Sequence, residues 1–150
     1  MTGEKPPVAR LMIRAFRHFE TELLRRLQAQ GVDDITYSNL NVIRHLDRTG
    51  LRLSELARDA GMSKQAIGKL VGELERKGYV RLVPDSADGR AKRVQYTRKG
   101  QRLIDTAIEI VTQMEQAYIA TLGETHYTRL RKTLLDATQL FNMEGTSHDP

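Results

Sequence analysis

Apolar residues recur at steps of three and four along most of this chain, and the runs break at glycines. Val8, Leu11, Met12, Ala15, Phe16, Phe19, Leu23 and Leu27 form one stripe, which predicts a helix from about Val8 to Gln30, ended by Gly31. Leu40, Ile43 and Leu46, with Val42 beside them, predict a second helix from about Tyr37 to Thr49, ended by Gly50. Two shorter runs follow: Leu53, Leu56, Ala57 and Ala60, then Ile67, Leu70, Val71 and Leu74. Near the C-terminus, Leu103, Ile104, Ala107, Ile108, Val111, Met114, Tyr118 and Leu122 predict a long helix from about Gly100 to Leu122. Tyr127, Leu130, Leu134, Ala137 and Phe141 predict a last one from about Thr125 to Met143, with the spacing of a packing seam.

Between the two short runs stand Gly61 and Ser63. Glycine can take the left-handed conformation that ends a helix, and a serine hydroxyl can accept an orphan N–H at the start of the next. The pattern predicts a helix-turn-helix. A plain helical hairpin has the same periodicity, so the segment that follows decides between them. Tyr79–Val83 and Arg90–Thr97 are β-prone and flank PDSADG, a run of turn formers. Val94 and Tyr96 should face inward, Arg93 and Gln95 outward. A basic hairpin after a helix-turn-helix is a wing. Asp88, two residues before Arg90, is placed to orient that guanidinium. Arg52 falls at the cap of the first short helix, where a short polar residue is usual; sequence gives no reason for it.

Charge sharpens the picture. Residues 61–100 carry ten Lys/Arg against four Asp/Glu, a balance of +6, while the whole chain carries +5. The positive excess sits in the helix-turn-helix and hairpin, which points to a polyanion, because phosphate attraction dominates nucleic-acid affinity. On this reading Ser63 and the N–H groups after it hold a phosphate, and Lys64, Gln65 and Lys69 reach base edges in the major groove. Gly68 reads equally well as permitting close backbone approach and as a merely tolerated helix glycine. Arg90 enters the minor groove, while Lys92 and Arg93 contact phosphates. Arg76, Lys77 and Arg98 read equally well as solvated surface charges.

The run LSELARDAGMSKQAIGKLVGELERKGYV, followed by DSADGRAKRVQYTRKG, resembles the MarR family of winged-helix regulators. Asp88, Arg90, Ala91, Lys92, Tyr96, Thr97 and Gly100 look like its wing signature, with Tyr96 where the family usually has Leu. The family often has a hydroxyl residue early in the recognition helix where this chain has Lys64, Gln65 and Ala66, so base preference does not carry over. The resemblance covers roughly Val8 to Met143. It implies a triangular homodimer that represses by occluding a promoter. It also implies a small aromatic or phenolic anion as effector, bound between the dimer helices and the winged domain. Met12, Phe16, Phe19, Tyr37 and His45 are the candidates to line such a cavity, although an apolar stripe more often belongs to a core.

The fold class expected is mainly α with a small β-hairpin wing, in a single domain over residues 1–150. Residues 36–99 form the winged helix-turn-helix, and 8–30 with 100–143 form dimerisation helices. Those three stripes exceed what a compact winged domain can cover, which favours a homodimer. Its recognition helices would enter successive major grooves about 34–36 Å apart, on an inverted-repeat operator.

Other classes find less support. There is no cysteine, hence no disulfide, thiolate metal site or thiol switch. His18, His45, His126 and His148 are scattered, and Glu20 and Glu22 point roughly 200° apart on a helix. No GxSxG, P-loop or GxGxxG occurs. Neither an enzyme, a metal nor a cofactor is expected. No apolar run approaches the ~20 residues that span a bilayer, and MTGEKPPVAR lacks the apolar core of a signal peptide, so a cytoplasmic protein is expected. Met1–Pro7 and the tail GTSHDP should be loose. The alternative to a regulator is an architectural DNA-binding or protein-interaction winged helix with little sequence preference.

Overall fold

The computed structural model describes residues 5–144, and side chains through residue 140. The expected loose tail over residues 145–150 lies outside this range, as do the first four residues of the expected loose start. The element order is α1 (Val8–Ala29), α2 (Tyr37–Ile43), β1 (Leu51–Arg52), α3 (Leu53–Asp59), α4 (Lys64–Arg76), β2 (Val80–Pro84), β3 (Lys92–Tyr96), α5 (Arg98–Leu122) and α6 (Glu124–Glu144). The fold is mainly helical with a small antiparallel sheet, the winged helix-turn-helix class. The chain divides into two compact units, 1–110 and 111–150.

In the first unit the sheet order is β1-β3-β2. The hairpin pairs Val80 with Tyr96 and Pro84 with Lys92, and Leu51 and Arg52 add a third strand opposite Val94 and Arg93. This short strand is absent from the sequence reading, because two residues carry no periodicity. Val94 and Tyr96 are buried as their alternation predicts, and the core also includes Leu56, Ile67, Val71, Leu74 and Val80. The Tyr96 hydroxyl donates to the Leu46 carbonyl at 3.1 Å, which gives the phenol a buried partner where an aliphatic residue would need none.

The second helix is shorter than its apolar pattern suggests. Regular turns stop at Ile43, and His45 N–H reaches back three residues to Val42 O, tightening the end. Asp47 then accepts both the N–H and the hydroxyl of Thr49, at 2.8 and 2.6 Å. This local turn competes with helix, as Asp side chains commonly do. In contrast α5 starts earlier than expected, because the Thr97 hydroxyl accepts Gly100 N–H at 3.1 Å and caps it. Gly100 is required by packing: a Cβ there would stand 2.0 Å from the Tyr79 carbonyl oxygen.

The α1 stripe is only partly covered. Leu23 and Leu27 are buried, whereas Val8, Leu11, Met12, Ile13 and Phe16 are 45–71% exposed. The second unit shows the same feature on α6, where Leu130, Leu134, Leu135 and Leu140 are exposed.

Candidate nucleic-acid interface

The helix-turn-helix is built locally. Gly61, at φ +63°, turns the chain after α3, and Met62 N–H bonds Ala57 O at 3.0 Å. The Ser63 hydroxyl accepts Ala66 N–H at 3.1 Å and caps α4. Ile67, Leu70, Val71 and Leu74 bury one face of α4. Lys64, Gln65 and Lys69 are left exposed on its first turns, beside the half-buried Ala66 and Gly68. A Cβ at Gly68 would meet nothing within 4 Å, so the protein's own packing does not require glycine there.

The far end of α4 is held by polar contacts that sequence reasoning missed. Asn39, fully buried on α2, donates from Nδ2 to Glu73 Oε2 at 3.2 Å, and its Oδ1 accepts Lys77 Nζ at 2.8 Å. Lys77 is therefore not a plain solvated charge. Below it the Tyr79 hydroxyl donates to Asp34 at 2.5 Å, and Lys99 Nζ sits 4.2 Å over the Tyr79 ring. Burial and the Asp34 carboxylate both push the Tyr79 phenol well above its ordinary value.

The wing rests on Asp85, a buried carboxylate at the end of β2. Arg52 grips it with Nε and Nη2 at 3.1 and 3.0 Å, and Arg93 Nη1 approaches at 3.4 Å. Asp85 also accepts the N–H groups of Ala87 and Asp88 at 2.9 and 3.1 Å, which shapes the loop. The Arg52 fork, then these two amides, hold its carboxyl far below the usual carboxylate range. Arg52 is thus explained: its side chain serves the wing, while its N–H donates to Glu55 Oε2 at 3.1 Å. A signal for this was its misfit at a cap position.

Two wing expectations change. Asp88 accepts the backbone N–H of Arg90 at 3.0 Å, so it shapes the turn instead of steering the guanidinium. Arg93 is half-buried and turned inward, donating to Gly50 O at 2.9 Å as well as to Asp85. Arg90 and Lys92 are exposed.

The effector candidates are divided. Met12, Phe16 and Tyr37 are exposed, and Phe19 and His45 are half-buried, so this part of the stripe is not core within the chain. Arg44 lies 4.9 Å over the Phe16 ring and pairs with Glu20, and the Tyr37 hydroxyl donates to Thr21 at 2.7 Å. Among the described residues, no group of three or more His, Cys, Asp or Glu could hold a metal ion, and no helix is long and apolar enough to cross a membrane.

The model of the MarR family matches residues 33–91, which take in α2, the helix-turn-helix and the wing loop. The chain is 31% identical over 111 residues to the transcriptional activatory protein BadR of Rhodopseudomonas palustris, covering 73% of this chain and 62% of BadR. It thus spans less than two thirds of that relative. Streptococcus pneumoniae FabT, solved in complex with DNA, has a TM-score of 0.75 at 17% identity, over 90% of this chain and 95% of that one. NadR, solved in complex with 4-hydroxyphenylacetate, has a TM-score of 0.70 at 21% identity, over 93% of this chain and 98% of that one. At these identities the two structures establish the fold alone.

Proposed function

We propose that this chain is a MarR-family protein, a cytoplasmic, sequence-specific regulator that binds double-stranded DNA as a homodimer. The observation that carries this is the presence of two exposed basic elements, one on the helix-turn-helix and one on the wing that follows it. Lys64, Gln65 and Lys69 stand on the first turns of a capped helix, and Arg90 and Lys92 stand on a wing whose base is ion-paired. The helix suits a major groove, where Gln pairs with adenine and Lys with guanine. Ser63 and the free amides beside it suit a phosphate, Gly68 allows close approach, and Arg90 suits the minor groove alongside. FabT, of the same fold, binds DNA.

The homodimer reading rests on the uncovered apolar faces of α1 and α6. Association through the first and last two helices would bury them, and two-fold symmetry would make the operator an inverted repeat. Repression follows where such an operator overlaps a promoter. BadR, named as an activator, marks the opposite sign, which a reporter carrying the operator separates.

Selection of bound fragments from a random DNA library at physiological salt tests the reading. A gapped inverted repeat is expected, preferred by about 10³-fold or more over random DNA. Binding without enrichment would replace it with an architectural role, and no binding would leave a protein-interaction module. For an effector the reading is a phenolic or aromatic anion near Phe16, Phe19, Met12, Tyr37 and His45, by analogy with NadR and 4-hydroxyphenylacetate. It must bind the free dimer more tightly than the DNA-bound one; equal affinities by calorimetry would remove it.

A further inference from the structure

Arg52 and Arg93 face each other across β1 and β3, a like-charge cross-strand pair. Such pairs are unfavourable unless something stands between them. Here Asp85 does, and its carboxylate is bound to the start of α3 through Arg52 and to its own loop through Ala87 and Asp88 N–H. Asp85 N–H and Ala91 O close the loop at 3.0 Å, and Asp88 fixes Arg90 N–H inside it. A continuous set of bonds therefore runs from the first residue before the helix-turn-helix to the wing residue read as a minor-groove contact. Arg52 is the link with no role of its own on the DNA side. Its guanidinium is turned onto a carboxylate, and its side chain is only about a third exposed. It also occupies a position where serine or threonine would cap α3, and the chain forgoes that cap.

We propose that Arg52 is a positioning residue for the wing: by gripping Asp85 it couples the orientation of Arg90 to the helix-turn-helix, so that both elements meet the duplex in one fixed register. This rests on the DNA-binding reading above, but the anchoring itself can be measured without DNA. A bidentate guanidinium–carboxylate pair sets direction as well as distance, which a single amide contact does not. Arg93 alone, at 3.4 Å, leaves the loop a freer pivot.

The test exploits the lack of cysteine. Ser86→Cys, at an exposed loop position, gives one site for a nitroxide label in the full chain. The spin-label spectrum is compared between the Arg52 protein and Arg52→Ser, a change that supplies the missing helix cap and so protects the fold. The expected result is a narrower, more mobile line shape in Arg52→Ser, recorded at a temperature where both proteins remain folded. The same variant, without the label, should lose about tenfold in affinity for the selected site, with random-DNA affinity and salt slope unchanged. Identical line shapes would overturn the anchor. A mobile wing with undiminished site preference would overturn its role in recognition. A salt slope reduced by about one would instead make Arg52 a direct phosphate contact. Should the parent bind no DNA, the functional reading fails, and the line shapes still decide whether Arg52 holds the wing.

Discussion

Asn39 and Lys77, 38 residues apart, meet in a 2.8 Å hydrogen bond that ties α2 to the end of α4. The same Asn39 side chain donates to Glu73, so one buried amide serves an anion on α4 and a cation at its C-cap. An amide can do this because it carries both a donor and an acceptor. Asn39→Leu removes both and leaves two charged groups facing an apolar surface. It should destabilise the fold by roughly 1–3 kcal/mol, read from urea denaturation. A loss within error of zero would mean that water replaces the amide at no cost.

Gly100→Ala tests the junction between the wing and α5. The added methyl would collide with the Tyr79 carbonyl and stand 2.8 Å from the Tyr96 ring. Backbone cannot yield as a flexible side chain does, so overpacking should cost about 1–3 kcal/mol or more. Gly68→Ala is the control: its Cβ meets open space, and helix propensity should raise stability by up to about 1 kcal/mol. If both substitutions shift the melting temperature alike, the close approach at Gly100 is not the cause.

These two sites also mark what could be read from sequence. Elements with repeating local signals were legible: α1, α5 and α6 by their stripes, the α3–α4 turn by Gly61 and Ser63, and the hairpin by alternation around a turn-rich loop. What failed was nonlocal. Nothing near Asn39 announces a partner on another helix, and Arg52 meets its carboxylate 33 residues away. The two-residue β1 exists only because β3 offers it a ladder. The apolar stripe of the second helix continues to Leu46 although the regular helix stops at Ile43, and the Asp47–Thr49 turn beyond it is set by one side chain. In the candidate interface the exposed residues of α4 were found by their face, whereas the inward turn of Arg93 depends on Gly50 and Asp85, which no spacing rule connects to it.

Arg90 should matter for recognition and not for folding. Arg90→Ala is expected to weaken binding to the selected site about ten- to a hundredfold and to leave the melting temperature unchanged. Fluorescence anisotropy against the operator and against random DNA separates specific from general loss. Equal affinity for the operator in parent and variant would take the wing out of the mechanism.

Lys92 makes a different prediction, because a phosphate contact positions without specifying. Lys92→Ala should lower operator and random-DNA affinity together and reduce the slope of log affinity against log salt by about one. Arg93→Ala, whose guanidinium is spent inside the protein, should lower stability as well as affinity. A slope for Lys92→Ala that matches the parent would exclude that contact.

The Asp85 charge should stabilise the wing at neutral pH and lose that contribution only in strong acid. The Asp85 carboxyl is held well below its ordinary value, first by the Arg52 fork and then by the Ala87 and Asp88 amides. A carboxylate with a lowered value in the folded state stabilises that state fully above the unfolded value of about 3.9, and the contribution is lost as pH falls toward the folded value. Asp85→Asn keeps the shape of the side chain and removes the charge. The parent should therefore melt higher than Asp85→Asn at pH 7, with the gap constant down to about pH 4 and closing below it. Other carboxylates titrate in both proteins and cancel in the difference. No gap at pH 7 would mean that the charge on Asp85 contributes nothing and that asparagine reproduces the geometry holding the loop, and a gap that stays constant into strong acid would mean that it does not come from the carboxylate charge.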